Sequence, residues 1–127
     1  MSLSFNRDQG LIIVPTKVWG PTGDTIVRLA LDTGATMSLV NADVLAFLGY
    51  DSKRAKETVQ MTTGSHVQAA PKIRVEKLEA LNRQRLSFPV VCHSLPATAG
   101  IDGVLGLDFF RGHRLVLDFH IGLLTFE

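Results

Sequence analysis

The stretch Leu29-Ala30-Leu31-Asp32-Thr33-Gly34-Ala35-Thr36-Met37-Ser38-Leu39-Val40 places one acidic residue and one glycine between two apolar segments. Side chains that alternate over residues 27–31 predict a strand with one buried face leading to Asp32. Asp32 then stands at a strand end near buried surface, where an ionised carboxylate is costly unless it is hydrogen-bonded. Gly34 lets the backbone turn and approach another group closely. We therefore predict a hairpin-like loop with a carboxylate at its tip, from which residues 37–40 return as a second apolar strand.

The composition indicates an ordinary globular domain. A chain of 127 residues, 46% hydrophobic and 20% charged, is typical of one domain with a substantial core. A net charge of +1 gives no electrostatic reason to expect binding to nucleic acid or to an anionic membrane. The apolar runs are too short to span a bilayer and we find no signal peptide, so a cytoplasmic location is the default expectation.

We treat residues 1–127 as a single domain. The first three residues, Met1-Ser2-Leu3, are compatible with a short vector-derived leader, in which case the natural chain is longer.

Cysteine and histidine usage gives no metal or disulfide signal. Cys92 is the only cysteine, so no internal disulfide is expected. A thiol nucleophile or metal ligand is conceivable beside His93, but Cys92 ends the apolar stretch 88–91, which favours a small buried hydrophobe. The histidines lack the spacing of zinc ligands, so we assign no metal site and expect no cofactor.

Most of the sequence predicts short strands separated by turns. Asn41–Gly49 is the best helix, because Asn41 can cap its start and Gly49 can adopt the left-handed stop. Residues 103–112 predict a strand that runs into a short helical turn. The predicted strands are 11–14 and 25–31, the hairpin arms 57–61 and 67–75, the arms 78–81 and 86–92 around Arg83-Gln84, and the closing arms 115–119 and 123–126. Strands at this spacing indicate a closed or sandwiched all-β fold.

The opening stretch resembles the active-site block of retropepsin-like aspartic proteases, in which alternating hydrophobic positions precede Asp32-Thr33-Gly34-Ala35. The second landmark of that family, two hydrophobic residues and a glycine before a short helix, is matched by Val104-Leu105-Gly106. Gly64 lies between the two, where the family places its flap. The resemblance covers nearly the whole chain in order and spacing. It implies an all-β protomer built as a retropepsin-like closed β-barrel with one or two short helices.

This resemblance implies an aspartic endopeptidase. A single Asp-Thr-Gly is half of a catalytic pair, so the implied enzyme is a homodimer in which Asp32 meets its symmetry mate. A water activated between the two Asp32 carboxylates would hydrolyse the bonds of an extended peptide or protein substrate. Thr33, Gly34 and Ala35 would support the active-site loop. The implied flap and substrate-binding residues are Met61, Thr62, Thr63, Gly64, Ser65 and His66.

Some residues depart from the family pattern or leave alternatives open. Leu107 stands where retroviral enzymes carry an arginine that braces the dimer, so this dimer is expected to be braced differently. Asp108 is either a second acidic participant or a helix cap, and we favour the cap. His66 either contacts substrate or faces solvent at a hairpin tip, and we favour solvent. The stretch 77–87 and the C-terminal hairpin exceed a minimal retroviral protomer, which favours a cellular or bacterial relative.

Two other functions are compatible with the same residues. One is a retropepsin-like dimerisation or peptide-binding module that retains the motif with little or no proteolytic activity. The other is an unrelated β-barrel in which Asp-Thr-Gly is an ordinary turn.

Overall fold

The computed structural model describes residues 1–127, except for the side chain of Thr63. Two short α-helices and two 3₁₀ turns, Ser52–Arg54 and Ala97–Ala99, accompany the strands. Neither α-helix among the described residues has the length and apolar composition needed to cross a bilayer. The elements are β1 Ser2–Ser4, β2 Ile13–Gly20, β3 Gly23–Leu31, β4 Leu39–Asn41, α1 Ala42–Phe47, β5 Glu57–Thr63, β6 His66–Ala80, β7 Arg83–His93, β8 Gly103–Leu105, α2 Leu107–Phe110, β9 Leu115–Asp118 and β10 Leu123–Phe126.

Six strands close into a barrel. Their order is β2-β3-β8-β4-β7-β6, and β2 pairs back onto β6 through residues 17–19 and 77–79. The 15-residue strand β6 makes this closure possible, because its second half pairs with both β7 and β2 while its first half pairs with β5. The arrangement confirms the predicted all-β closed barrel.

The barrel interior is filled by alternating apolar side chains from the strands. Phe109 of α2 is fully buried and its ring contacts Phe88, Phe110 and Phe126, which ties the helix to the barrel and to β10. Cys92 is 4% exposed within this core, as predicted. Burial raises the pKa of the Cys92 thiol, so the reactive thiolate is disfavoured.

A separate three-stranded sheet joins the two ends of the chain. Its order is β1-β10-β9, and residues 2–4 pair with residues 123–125. Residues 2–4 are therefore part of the fold. The β9–β10 pairing confirms the predicted closing hairpin.

The predicted helix and hairpins are present, with shifted boundaries. The Asn41 side chain accepts a hydrogen bond from the Asp43 amide at the start of α1, and Gly49 has a φ of 94° beyond its end. The turn predicted at Arg83-Gln84 is wrong: Leu81 and Asn82 form it, with φ values of 51° and 64°. Two successive positive φ values match the twist of a tight hairpin, and leucine is an unusual residue in such a turn.

Tyr50 bridges two strands where β2 diverges from β6. Its hydroxyl donates to the Trp19 carbonyl oxygen at 2.7 Å and accepts from the Glu76 amide at 2.8 Å. Burial is the main cause that raises the pKa of Tyr50 above its ordinary value of 10.0, since the neutral phenol is favoured in the folded state.

We predict that Tyr50→Phe lowers the free energy of unfolding by roughly 1–3 kcal/mol, because two backbone groups lose their partner. A raised pKa means that the contribution is complete below the unfolded value of about 10 and is lost as the pH rises through the folded value. Urea unfolding between neutral and alkaline pH tests this, with the difference between the two proteins shrinking above pH ~10. Equal stability of both proteins at neutral pH would contradict the assigned role.

Candidate active site

The two landmark sequences lie side by side in the barrel. Strand β8 runs parallel to β3 and antiparallel to β4, with Leu105 opposite Leu31. Asp32 therefore leaves β3 next to the point where Gly106 leaves β8. The predicted hairpin between the strands that flank Asp32 is wrong, because β8 lies between β3 and β4 and separates them.

Backbone hydrogen bonds shape residues 32–38, which we call the Asp32 loop. The Asp32 amide donates to the Leu105 carbonyl oxygen at 3.0 Å. The Gly34 amide donates to Asp32 Oδ1 at 2.9 Å, and the Ala35 amide donates to the Asp32 carbonyl oxygen at 3.2 Å. The loop thus forms a tight turn that orients the Asp32 carboxylate, and Thr33 and Gly34 are at its exposed tip.

Asp32 is exposed in the single chain, which corrects the expectation that it lies at buried surface. The preceding residues Leu29 and Ala30 are buried and Leu31 is half-buried, so exposure increases as the strand leaves the barrel. Burial was inferred from the apolar strand, but the carboxylate projects beyond it.

A cleft of about 620 Å³, which we call the main cleft, lies between the Asp32 loop and strand β5. Its lining is mainly apolar, and Asp32 is the only acidic side chain among the lining residues that the structure describes. The lining residues are Asp32, Gly34, Ala35, Thr36, Met37, Leu39, Val59, Gln60, Met61, Thr62, Val91 and Val104. Asp32 is therefore at one wall of an apolar groove with a strand as its other wall.

A smaller recess of about 270 Å³ shares Asp32 with the main cleft. Asp32 and Thr33 line it together with the N-terminal segment 5–12 and the closing hairpin. Two apolar residues of this recess, Leu11 and Phe119, are 47% and 60% exposed. Exposed apolar side chains therefore lie beside Asp32 on this side, in a recess that Arg7 and Gln9 also line.

The structure brings only part of the predicted flap to the cleft. Met61 and Thr62 line it, whereas Gly64, Ser65 and His66 are exposed at the hairpin tip and are not among its lining residues. Gly64 has a φ of 61° in the two-residue turn between β5 and β6, which explains the glycine there. The Thr63 side chain lies outside the described residues.

Several residues that line the cleft were not predicted from the sequence. Leu39, Val59 and Val91 come from three different strands that meet only in the folded barrel. Val59 could have been predicted from Met61, because residues two apart on a strand point to the same face of the sheet. No comparable signal in the sequence marked Leu39 or Val91.

The predicted helix-capping role of Asp108 is wrong. No side chain caps α2, whose N-cap residue is Gly106. The Asp108 carboxylate instead accepts hydrogen bonds from the amide and hydroxyl of Ser38. Asp108 therefore connects α2 to the Asp32 loop. Within the described part of the chain, no three His, Cys, Asp or Glu side chains are grouped as metal ligands.

Gly106 is required by close packing between the two landmarks. A β-carbon at this position would lie 2.8 Å from the Ala35 carbonyl oxygen and 2.9 Å from the Met37 carbonyl group. Both contacts are backbone atoms of the Asp32 loop, which cannot move aside as a flexible side chain can.

We predict that Gly106→Ala destabilises the fold by about 1–3 kcal/mol, the usual cost of overpacking, and displaces the Asp32 loop. Gly10→Ala is the matched control, because a β-carbon there has nothing within 4 Å. Thermal unfolding of both variants measures the difference. A Gly106→Ala variant as stable as Gly10→Ala would show that the packing is not a constraint.

Comparisons with known proteins agree with this geometry. The family model described as gag-polyprotein putative aspartyl protease matches residues 22–112, which include both landmarks. A retropepsin-like aspartic protease from Rickettsia conorii has a similar crystal structure, with a TM-score of 0.73 and 17% sequence identity over 98% of this chain and 86% of that one. A search among curated protein sequences finds no match. The chain has the retropepsin-like fold and belongs to the gag-polyprotein putative aspartyl protease family.

Proposed function

We propose that this protein is an aspartic endopeptidase whose active site forms when two copies bring their Asp32 carboxylates together. One observation supports this most strongly: Asp32 is exposed at the tip of a hydrogen-bonded loop and is the only acidic residue among the described lining of the main cleft. Family membership supports the same activity.

The proposed chemistry needs two carboxylates in contact. Aspartic proteases are the established example of two carboxyl groups, about 3 Å apart, that share a single proton. The ionised Asp32 accepts a proton from a water molecule as its oxygen attacks the peptide carbonyl carbon. The protonated Asp32 donates its proton to the carbonyl oxygen. As the C–N bond breaks, the leaving nitrogen takes the proton that the first Asp32 received from water, and a hydroxyl of the intermediate returns a proton to the second Asp32. These roles belong to the pair rather than to either copy.

The main cleft supports binding of an extended peptide. Strand β5 is the last strand of its sheet and pairs with β6 on one side only, so its other edge is available to an added strand. Val59 and Met61 of β5, with Val91 and Val104 opposite, supply apolar contacts for substrate side chains. We propose Met61–His66 as the flap, with Met61 and Thr62 as its substrate-facing part.

The smaller recess supports assembly through the face that carries Asp32. Leu11 and Phe119 are exposed beside Asp32 and Thr33, and covering apolar surface of this kind favours association. A two-fold axis near Asp32 would bring the surface that carries Leu11 and Phe119 against the identical surface of the second copy. The aromatic contact of Phe119 with Phe5, 5.6 Å between ring centroids, would hold it in place for this contact.

Asp32→Asn tests the proposed chemistry. Asparagine keeps an oxygen for the Gly34 amide, so the loop should be retained while general acid–base catalysis is lost. We expect cleavage of an unstructured peptide library at mildly acidic pH to fall by at least about 10²–10⁴-fold. Asp43→Asn, which removes an exposed carboxylate of α1, should leave cleavage unchanged.

Cleavage that survives Asp32→Asn would refute the proposed chemistry. A wild-type protein that binds peptides but cleaves none of them at acidic or neutral pH would instead favour the peptide-binding module.

Phe119→Asp tests the proposed assembly face. A charge at this position should raise the dimer dissociation constant by about tenfold or more, as expected when a central interface anchor is lost. Phe47→Asp is the matched control, because Phe47 is 72% exposed and lines neither recess. Sedimentation equilibrium measures both variants. Equal effects of the two substitutions would place the interface elsewhere.

A further inference from the structure

A buried serine ends the Asp32 loop and binds the carboxylate of Asp108. Ser38 has no exposed surface, although its neighbour in the loop, Met37, is half-buried. Its hydroxyl donates to Asp108 Oδ1 at 2.8 Å, and its amide lies 3.0 Å from both Asp108 carboxylate oxygens. The carboxylate therefore accepts every hydrogen that Ser38 can donate.

The directions of these hydrogen bonds require a side chain with acceptor atoms at position 108. The Gly106 amide donates to Ser38 Oγ at 3.0 Å, so the serine oxygen is an acceptor toward Gly106 and a donor toward Asp108. Asp108 faces two donors, the Ser38 amide and hydroxyl, and an ionised carboxylate has acceptors for both. An asparagine at position 108 has only one oxygen. Its NH₂ group would face one of these donors, and a hydrogen bond would be lost.

Four hydrogen-bonded contacts fasten the Asp32 loop to residues 105–108, one of them the bond from the Gly106 amide to Ser38 Oγ. The Asp32 amide bonds the Leu105 carbonyl oxygen at the start of the loop, and the Leu107 amide donates to the Ala35 carbonyl oxygen at 2.8 Å in its middle. The Ser38–Asp108 contact secures its end. Only this contact and the Gly106–Ser38 Oγ bond depend on side chains, so they can be removed by substitution without deleting backbone groups.

We propose that Ser38 and Asp108 are positioning residues that hold the Asp32 carboxylate in its reactive geometry. They touch neither the main cleft nor the smaller recess, and they act through the Asp32 loop. Their effect on turnover rests on the proposed endopeptidase function. Their effect on the loop does not.

The experiment compares wild type with Asp108→Asn, which is nearly isosteric, Ser38→Ala, and the control Asp43→Asn. Amide hydrogen exchange by NMR is measured first, at a temperature where all four proteins are folded. We expect the Asp32 and Leu107 amides to exchange about tenfold or more faster in Asp108→Asn and Ser38→Ala, while amides of the β6–β7 pairing keep their protection. Neither reporter amide bonds a substituted side chain directly.

Peptide cleavage is measured second, at protein concentrations where the variants assemble as the wild type does. Loss of positioning should lower kcat by about 10- to 100-fold with little change in KM, because the cleft itself is intact. Unchanged exchange of the Asp32 and Leu107 amides overturns the proposal, and so does faster exchange with unchanged kcat. If wild type cleaves nothing, the endopeptidase function fails while the exchange data still decide whether Ser38 and Asp108 hold the loop.

Discussion

The packing of the Asp32 loop against Gly106 is the constraint on which the rest of the structure depends. The loop backbone lies where a side chain at position 106 would be, and the Leu107 amide bonds the Ala35 carbonyl oxygen from the same side. This close approach is possible because β8 lies between β3 and β4. The barrel thus brings two short sequences, about 70 residues apart, into backbone contact, and their contact orients the Asp32 carboxylate.

In the same arrangement the Asp32 carboxylate lies on the surface of the single chain and is not enclosed in an active site. Asp32 is exposed and lies at the boundary of the main cleft and the smaller recess, the first proposed to bind an extended chain and the second bordered by Leu11 and Phe119. A pair of acidic groups that shares a proton needs a second carboxylate close by. Our proposal that a second copy supplies it accounts for the exposure of Asp32 and for the apolar residues beside it.

Sequence reasoning was most successful where the signal is local. The Asp32-Thr33-Gly34 turn, the Val104-Leu105-Gly106 strand end and the Asn41 cap each depend on residues a few positions apart, and all three are present. It failed where partners are distant: Asp108 bonds Ser38, 70 residues away, and was assigned to its own helix. The cleft residues Leu39 and Val91 were missed for the same reason, since only the parallel pairing of β4 with β7 brings them together.

Mixing wild-type and Asp32→Asn chains tests the central claim, a shared active site, most directly. The two are refolded together at a fixed total concentration, and the cleavage rate is followed as the wild-type fraction is varied. If each site needs one Asp32 from each copy, the rate falls as the square of that fraction, and an equal mixture retains about one quarter of the activity. A linear decrease, with about one half retained in the equal mixture, would contradict the account, because each chain would then carry a complete site.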